Sequence, residues 1–215
     1  MEARIVDVAS PARRFAHGQA LVRQGQIPDC LFLVRAGVVR LAAALPSGHE
    51  VVVGMLGPGD VFGECALLGD PSPVEARAAG PVQVEAVPLT ALQAVLERNP
   101  GTATELLRLL ASRLHRTTGA LEEALAQDVP TRLCRTLCEL AGRHGVRDGH
   151  GVRLALPITQ EDLGRMIGAS RETVNRTLAT LSGRKLIRTE GRRYVIPDVD
   201  ALARATDQEA PPTTA

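Results

Sequence analysis

Ile158-Thr159-Gln160-Glu161-Asp162-Leu163-Gly164-Arg165-Met166-Ile167-Gly168-Ala169-Ser170-Arg171-Glu172-Thr173-Val174-Asn175-Arg176-Thr177-Leu178-Ala179-Thr180-Leu181 predicts two short helices joined by a tight turn. Thr159 has a hydroxyl able to cap the free amides of an opening turn, with Asp162 three residues on to complete a capping-box-like pair. Gly168 tolerates the left-handed conformation of a turn, and Ser170 caps the second helix. On a wheel of 3.6 residues per turn Val174, Leu178 and Leu181 share one side, while Glu172, Arg176 and Ala179 fall opposite.

The outward face has a defined chemistry. Arginine donates two hydrogen bonds to guanine O6 and N7, and glutamate accepts one from cytosine N4. Arg171 and Glu172 sit in the opening turn, where a helix-turn-helix meets base edges. A solvated face with an ordinary Glu172–Arg176 pair at i, i+4 has the same residues, and the segment beyond Leu181 decides between the two. Ser182 to Ile196 reads as a turn, a short apolar strand, a Glu190-Gly191 turn and a second strand, the pattern of a β-hairpin wing. Between Arg153 and Ile196 there are nine basic and four acidic residues, a net of +5, whereas the whole chain has a net of +1. The positive charge is concentrated on one segment, which suits a phosphate backbone.

The 215 residues can hold one large or two modest domains. Aromatic residues make up only 2%, which argues against a single-strand binder built on stacked rings. No apolar run approaches the roughly 20 residues of a membrane span, and the N-terminus has no basic region leading into an apolar stretch, so a cytoplasmic protein with no membrane partner is expected. Cys30 and Cys65 are far apart, and Cys134 and Cys138 lie one helical turn apart; neither pattern is a paired metal motif, so all four are expected to be small buried residues.

Residues 1 to about 90 are short apolar runs (Ala20 to Val22, Leu31 to Val34, Val38 to Ala44, Val51 to Met55, Val61 to Phe62, Val82 to Val87) split by Gly, Pro and Asp, which predicts an all-β sandwich or barrel. Within it, Gly57-Pro58-Gly59-Asp60-Val61-Phe62-Gly63-Glu64-Cys65-Ala66 is either a plain turn or an anion cradle, in which a short helix from about Cys65 aims its free amides at a ligand. A short helix is expected at Ala91 to Asn99 and a long one at Thr102 to Val129, whose seam of Leu107, Leu110, Leu114, Leu121 and Ala124 is spaced 3, 4, 7 and 3. Thr117 occupies the vacant seam position. An amphipathic helix folded on its own barrel satisfies the same periodicity. Pro130 is expected to break this helix, Thr131 to Gly142 to form another with Leu133, Leu137 and Leu140 on one face, and His144 to Gly151 to be a polar connector. Beyond Pro197 a short helix at Val199 to Ala205 and a disordered end are expected.

The order of β-roll, Gly-Asp-x-x-Gly-Glu loop, long seam helix and winged helix-turn-helix resembles the cyclic AMP receptor protein (CRP/FNR) family of bacterial transcription regulators, from about Phe15 to Ile196. The resemblance is most specific at Ser170-Arg171-Glu172-Thr173-Val174-Asn175-Arg176. It implies an α+β chain: a cyclic-nucleotide-binding-type β-roll (jelly roll) at 1–100, a dimerisation helix at 101–129, a winged helix-turn-helix at 130–197 and a partly disordered tail at 198–215.

It also implies a homodimer that regulates transcription, with Leu107, Leu110, Leu114, Thr117 and Leu121 on the dimer seam. Arg171, Glu172 and Arg176 would read a TGTGA-like half-site in double-stranded DNA, and Thr159, Gln160, Ser170 and Thr173 would hold phosphates. The operator would be a near-palindrome with its readers roughly 34 Å apart. RNA polymerase is implied as a partner for activation, through the connector from His144 to Gly151.

By the same resemblance cyclic AMP is the effector, held at Gly63 and Glu64, with the amides from Cys65 and Ala66, by Arg113, and at the adenine by Thr117 and Thr118. One departure stands against it: the Arg-Ser pair that neutralises the phosphate in cyclic AMP binders is absent, and Ser72-Pro73 stands near its place. Arg77 is a candidate substitute, although it aligns better with a later strand arginine. The alternative is a regulator of the same family that binds DNA without cyclic AMP or answers another effector; a redox or haem sensor needs ligands that the sequence does not supply. No catalytic or metal site is expected, because there is no Ser/His/Asp order and no Gly-x-x-x-x-Gly-Lys loop, and the five histidines are scattered.

Overall fold

The computed structural model describes residues 11–190 and 193–205, without the side chains of 123–126. The chain divides into two compact units, Met1–Gly119 and Ala120–Ala215.

The described part of the first unit contains β1 (Arg13–Phe15), β2 (Ala20–Val22), β3 (Cys30–Ala36), β4 (Val39–Ala44), β5 (Glu50–Leu56), β6 (Val61–Phe62), β7 (Glu75–Ala78) and β8 (Val82–Pro88). They form two antiparallel sheets, ordered β1-β8-β3-β6 and β2-β7-β4-β5. The expected β-roll is therefore present. Its core lies between the sheets, where Phe32, Val34, Leu41 and Val84 are buried and the Phe32 and Phe62 rings stack at 5.0 Å. The alternate residues of β3, Leu31 and Leu33, are buried on the other face with Leu92 and Leu106. Those two belong to α1 (Leu89–Arg98) and to the long α2 (Pro100–Ala126), which begin two residues earlier than the sequence pattern predicts. Strand β3 is thus covered on both faces, which is why it reads as an unbroken apolar run.

In the second unit Asp128, not Pro130, marks the break. Its carboxylate accepts a hydrogen bond from the Thr131 amide and caps α3 (Val129–His144), and Pro130 lies in the first turn, where its missing N–H removes no helical bond. Leu133, Leu137 and Leu140 are buried on one face as expected. The expected connector proves to be a β-hairpin, β9 (Gly145–Asp148) and β10 (Gly151–Leu154). Helix α4 (Gln160–Ile167), helix α5 (Arg171–Gly183), strands β11 (Arg188–Glu190) and β12 (Arg193–Ile196), and α6 (Val199–Arg204) follow, with the sheet ordered β11-β12-β10-β9. The first wing strand is Arg188–Glu190, which is exposed and not apolar; Ile187 is buried just before it. The expected Gly191 turn, the seam side chain of Ala124 and the expected disorder of residues 206–215 lie outside the described residues. No helix among the described residues is long and apolar enough to cross a membrane.

Candidate DNA interface and effector pocket

The helix-turn-helix is fixed by its caps. The Thr159 hydroxyl accepts from the Asp162 amide at 3.1 Å and the Asp162 carboxylate accepts from the Thr159 amide at 3.1 Å, so the capping box is complete. Gly168 ends α4 at φ 65°, ψ 42°, a left-handed conformation that costs glycine little. Two residues later the Ser170 hydroxyl accepts from the Thr173 amide at 3.2 Å and starts α5. Val174, Leu178 and Leu181 are buried, together with Thr177, whereas Arg171, Glu172 and Arg176 are exposed.

The outward charges remain available. Arg165 pairs with Glu161 one turn away at 2.6 Å, but among the described residues no such pair joins Glu172 to Arg176. Backbone N–H and the Ser170 hydroxyl beside the Glu172 carboxyl hold it below the usual carboxylate range, so it is an anionic acceptor at neutral pH. Thr159, Gln160, Ser170 and Thr173 gather at the N-terminal ends of α4 and α5. Of the basic residues counted in the sequence, Arg153, Arg165 and Arg188 are among those with internal partners, at Asp148, Glu161 and the His150 carbonyl. One exposed residue on this face has no counterpart among the sequence expectations: the Asn175 amide donates to Gln160 Oε1 at 3.1 Å, across the turn.

In the first unit Gly63 (φ 85°) precedes a single 3-10 turn, Glu64–Leu67, and a Cβ there would lie 2.7 Å from the Cys30 carbonyl oxygen. Glu64 Oε1 accepts from Arg113 Nη1 at 3.0 Å, while Oε2 is buried with no partner among the described residues. Gly63, Glu64 and Cys65 line a cavity of about 30 Å³ with Ser72, Pro73 and Val74. Ala66 is buried directly behind them. Burial pushes the Cys65 thiol up, and the Glu64 charge adds to this.

Ser72 turns its hydroxyl to the Val74 carbonyl at 2.7 Å. Arg77 is not a substitute for the missing cation: it lies on the outer face of β7, between the inward Ala76 and Ala78, and binds Glu75. Thr117 and Thr118 are exposed on α2, the Thr117 hydroxyl donating to the Arg113 carbonyl at 3.0 Å, and neither lines the cavity. Leu107, Leu114 and Leu121 on that helix are 66%, 69% and 60% exposed, whereas Leu110 packs against the core of the first unit. Cys30 and Cys134 are buried as expected, but Cys65 and Cys138 are only half-buried.

Residues 12–99 match the family model described as a cyclic nucleotide-binding domain, and residues 131–205 match the Crp-like helix-turn-helix domain. A CRP-like cAMP-activated global transcriptional regulator of Mycobacterium tuberculosis is 36% identical over 192 residues, 88% of this chain and 85% of that protein. The chain belongs to the CRP/FNR family of transcription regulators. Another CRP/FNR relative, the global nitrogen regulator of Synechococcus elongatus, is 30% identical over 89% of this chain and 87% of its own. The solved structure of FixK2 from Bradyrhizobium japonicum has the same fold, with a TM-score of 0.83 at 22% identity over 95% of this chain and all of that one. As a CRP/FNR member the chain is a DNA-binding transcription regulator whose helix-turn-helix is α4 and α5.

Proposed function

We propose that this regulator acts as a homodimer on an inverted repeat of TGTGA-like half-sites, with Arg171, Glu172 and Arg176 on base edges and Thr159, Gln160, Ser170 and Thr173 on phosphates. The observation that carries this reading is the pair of exposed arginines on a capped helix, neither guanidinium being hydrogen-bonded to a described residue, beside an anionic Glu172. Exposed Leu107, Leu114 and Leu121 supply the apolar seam for a second copy of α2. RNA polymerase docks on the exposed hairpin His144–Gly151 when the protein activates, and the protein works in the cytoplasm as a regulator and not as an enzyme.

The β-roll cavity is the effector site, and its residues are Gly63, Glu64, Cys65, Ala66 and Arg113, with Thr117 and Thr118 on the helix above. Cyclic AMP is the first effector to test: the unpartnered Glu64 Oε2 is an acceptor for a sugar hydroxyl, and the mycobacterial relative is described as cAMP-activated. An effector acts only through its different affinity for the DNA-competent and incompetent arrangements. A second reading, DNA binding without cyclic AMP or with another effector, is favoured because no Arg or Lys is among the described residues lining the cavity and the nearby Arg113 is already held by Glu64 and the Val61 carbonyl.

Fluorescence anisotropy of a labelled inverted repeat, titrated with and without cyclic AMP at fixed salt beside a scrambled duplex, tests both. Specific binding that requires the nucleotide supports the first reading; equal specific binding in both conditions supports the second. Binding that does not distinguish the scrambled duplex removes the half-site assignment.

A further inference from the structure

We propose that Asn175 is a fourth base-reading residue, selecting an A·T pair in each half-site, and that Gln160 is the positioning residue that fixes its carboxamide. The inference rests on the proposed DNA-reading role of α5.

Asn175 is exposed, next to Arg176 in sequence and one turn beyond Arg171, beside which it lies at the edge of the exposed face of α5, between Arg171 and the buried Leu178. A helix that enters the major groove by its N-terminal turns, with Arg171 toward the base edges, brings Asn175 toward the same groove from one turn further along. Its Nδ2 donates one hydrogen to Gln160 Oε1 at 3.1 Å. Gln160 stands in the first turn of α4, directly after the Thr159 cap, so its backbone is held by the capping box and its side chain reaches across the turn.

That bond decides what Asn175 offers to DNA. A carboxamide has two N–H donors and one carbonyl acceptor. With one donor spent on Gln160, one N–H and Oδ1 remain, side by side. This donor-acceptor pair matches adenine, whose N7 accepts and whose N6 amino group donates in the major groove. Guanine offers two acceptors there, so Oδ1 would face O6, and cytosine and thymine each offer one group. An unrestrained asparagine could flip to suit other edges; a flip of Asn175 alone would set its carbonyl against the Gln160 carbonyl, so the bond is kept only if both carboxamides turn together.

The test uses the full chain in anisotropy titrations against an inverted repeat of TGTGA half-sites, against duplexes with each half-site base pair replaced in turn, and against duplexes with 7-deazaadenine at each adenine position, which lacks the N7 acceptor. The wild-type chain is expected to lose affinity on the order of tenfold at one A·T pair when it becomes G·C, and to lose affinity at the same pair with 7-deazaadenine. Asn175→Ala should lose that preference and keep those at the guanines. Gln160→Ala should weaken the same preference, whereas Gln160→Glu, which still accepts from Asn175, should keep it while binding every duplex more weakly through repulsion of phosphate.

A wild-type chain indifferent to 7-deazaadenine at every adenine overturns the proposal without any variant having to fold. So does an Asn175→Ala profile that is unchanged or lowered uniformly. Arg176→Ala in the same panel separates the two levels: lost guanine discrimination there with an unchanged Asn175→Ala profile rejects Asn175 alone. Wild-type binding with no half-site preference rejects the DNA-reading assignment and this proposal together.

Discussion

Arg113 on α2 donates to Glu64 at 3.0 Å across 49 residues of sequence, and its other terminal nitrogen donates to the Val61 carbonyl, so one side chain ties the long helix to the loop that follows β6. The pair is 21% and 32% exposed, between the surface pairs that contribute about 0–1 kcal/mol and the buried ones whose disruption costs about 3–5 kcal/mol. Arg113→Ala should therefore destabilise the chain by about 1 kcal/mol and lower its melting midpoint by about 2–4 °C, read by calorimetry. Glu64→Ala should abolish any cyclic AMP effect on DNA binding while the β-roll stays folded; an unchanged response would remove the pocket from the mechanism.

Arg176→Ala should weaken operator binding by about 1–3 kcal/mol and relax selection at one guanine. Replacing that guanine by 7-deazaguanine should cost the wild type affinity and leave the variant unaffected. A loss equal on all sequences would make Arg176 a phosphate contact.

Gly164→Ala inverts an ordinary expectation. Mid-helix glycine to alanine normally stabilises by up to about 1 kcal/mol, but here a Cβ would lie 2.6 Å from the Ala169 carbonyl oxygen, across the turn to the second helix. The turn must widen, at about 1–3 kcal/mol for overpacking. Urea unfolding should show the loss, and specific DNA affinity should fall with it.

Leu114→Glu should give a monomer in sedimentation velocity, because Leu114 is 69% exposed in the single chain and a charge there is desolvated when two helices pair. Affinity for an inverted repeat should then fall to that for a single half-site.

Tyr194 reports on alkaline stability. Burial pushes its phenol up, and the nearby Asp162 charge adds to this. A group whose folded pKa is raised gives stability that is whole below its unfolded value, near 10, and is lost as pH rises toward and through the higher folded one. The stability of the DNA-binding unit should therefore be insensitive to this group up to about pH 10 and fall above it. The chain has one tyrosine and no tryptophan, so tyrosinate absorbance follows this side chain alone.

The helix-turn-helix was legible because each cap is a local signal: Thr159 with Asp162, Gly168 and Ser170 act within a few residues of their partners. The outer elements were harder to read. Strand β7 is Glu-Ala-Arg-Ala, whose inward residues are only alanines, and β9 is exposed beyond Gly145, so backbone pairing and not apolar alternation defines it. The heptad on α2 mixed two faces, Leu110 turning to the β-roll core and Leu107, Leu114 and Leu121 turning outward. Arg113–Glu64 and Asn175–Gln160 are tertiary contacts, which no local pattern encodes; only the exposed wheel position of Asn175, beside Arg176, could have drawn notice.

The cavity beside Glu64 measures about 30 Å³, whereas small-molecule sites usually have roughly 300–1,000 Å³. An effector of nucleotide size has to wait for the walls at Gly63 and Pro73 to part. Its observed binding rate should then climb with ligand concentration only to a ceiling set by the frequency of that opening. The speed at which such a regulator answers a pulse of signal would be written into the breathing of its β-roll, and flooding the cell with more messenger would not shorten the delay.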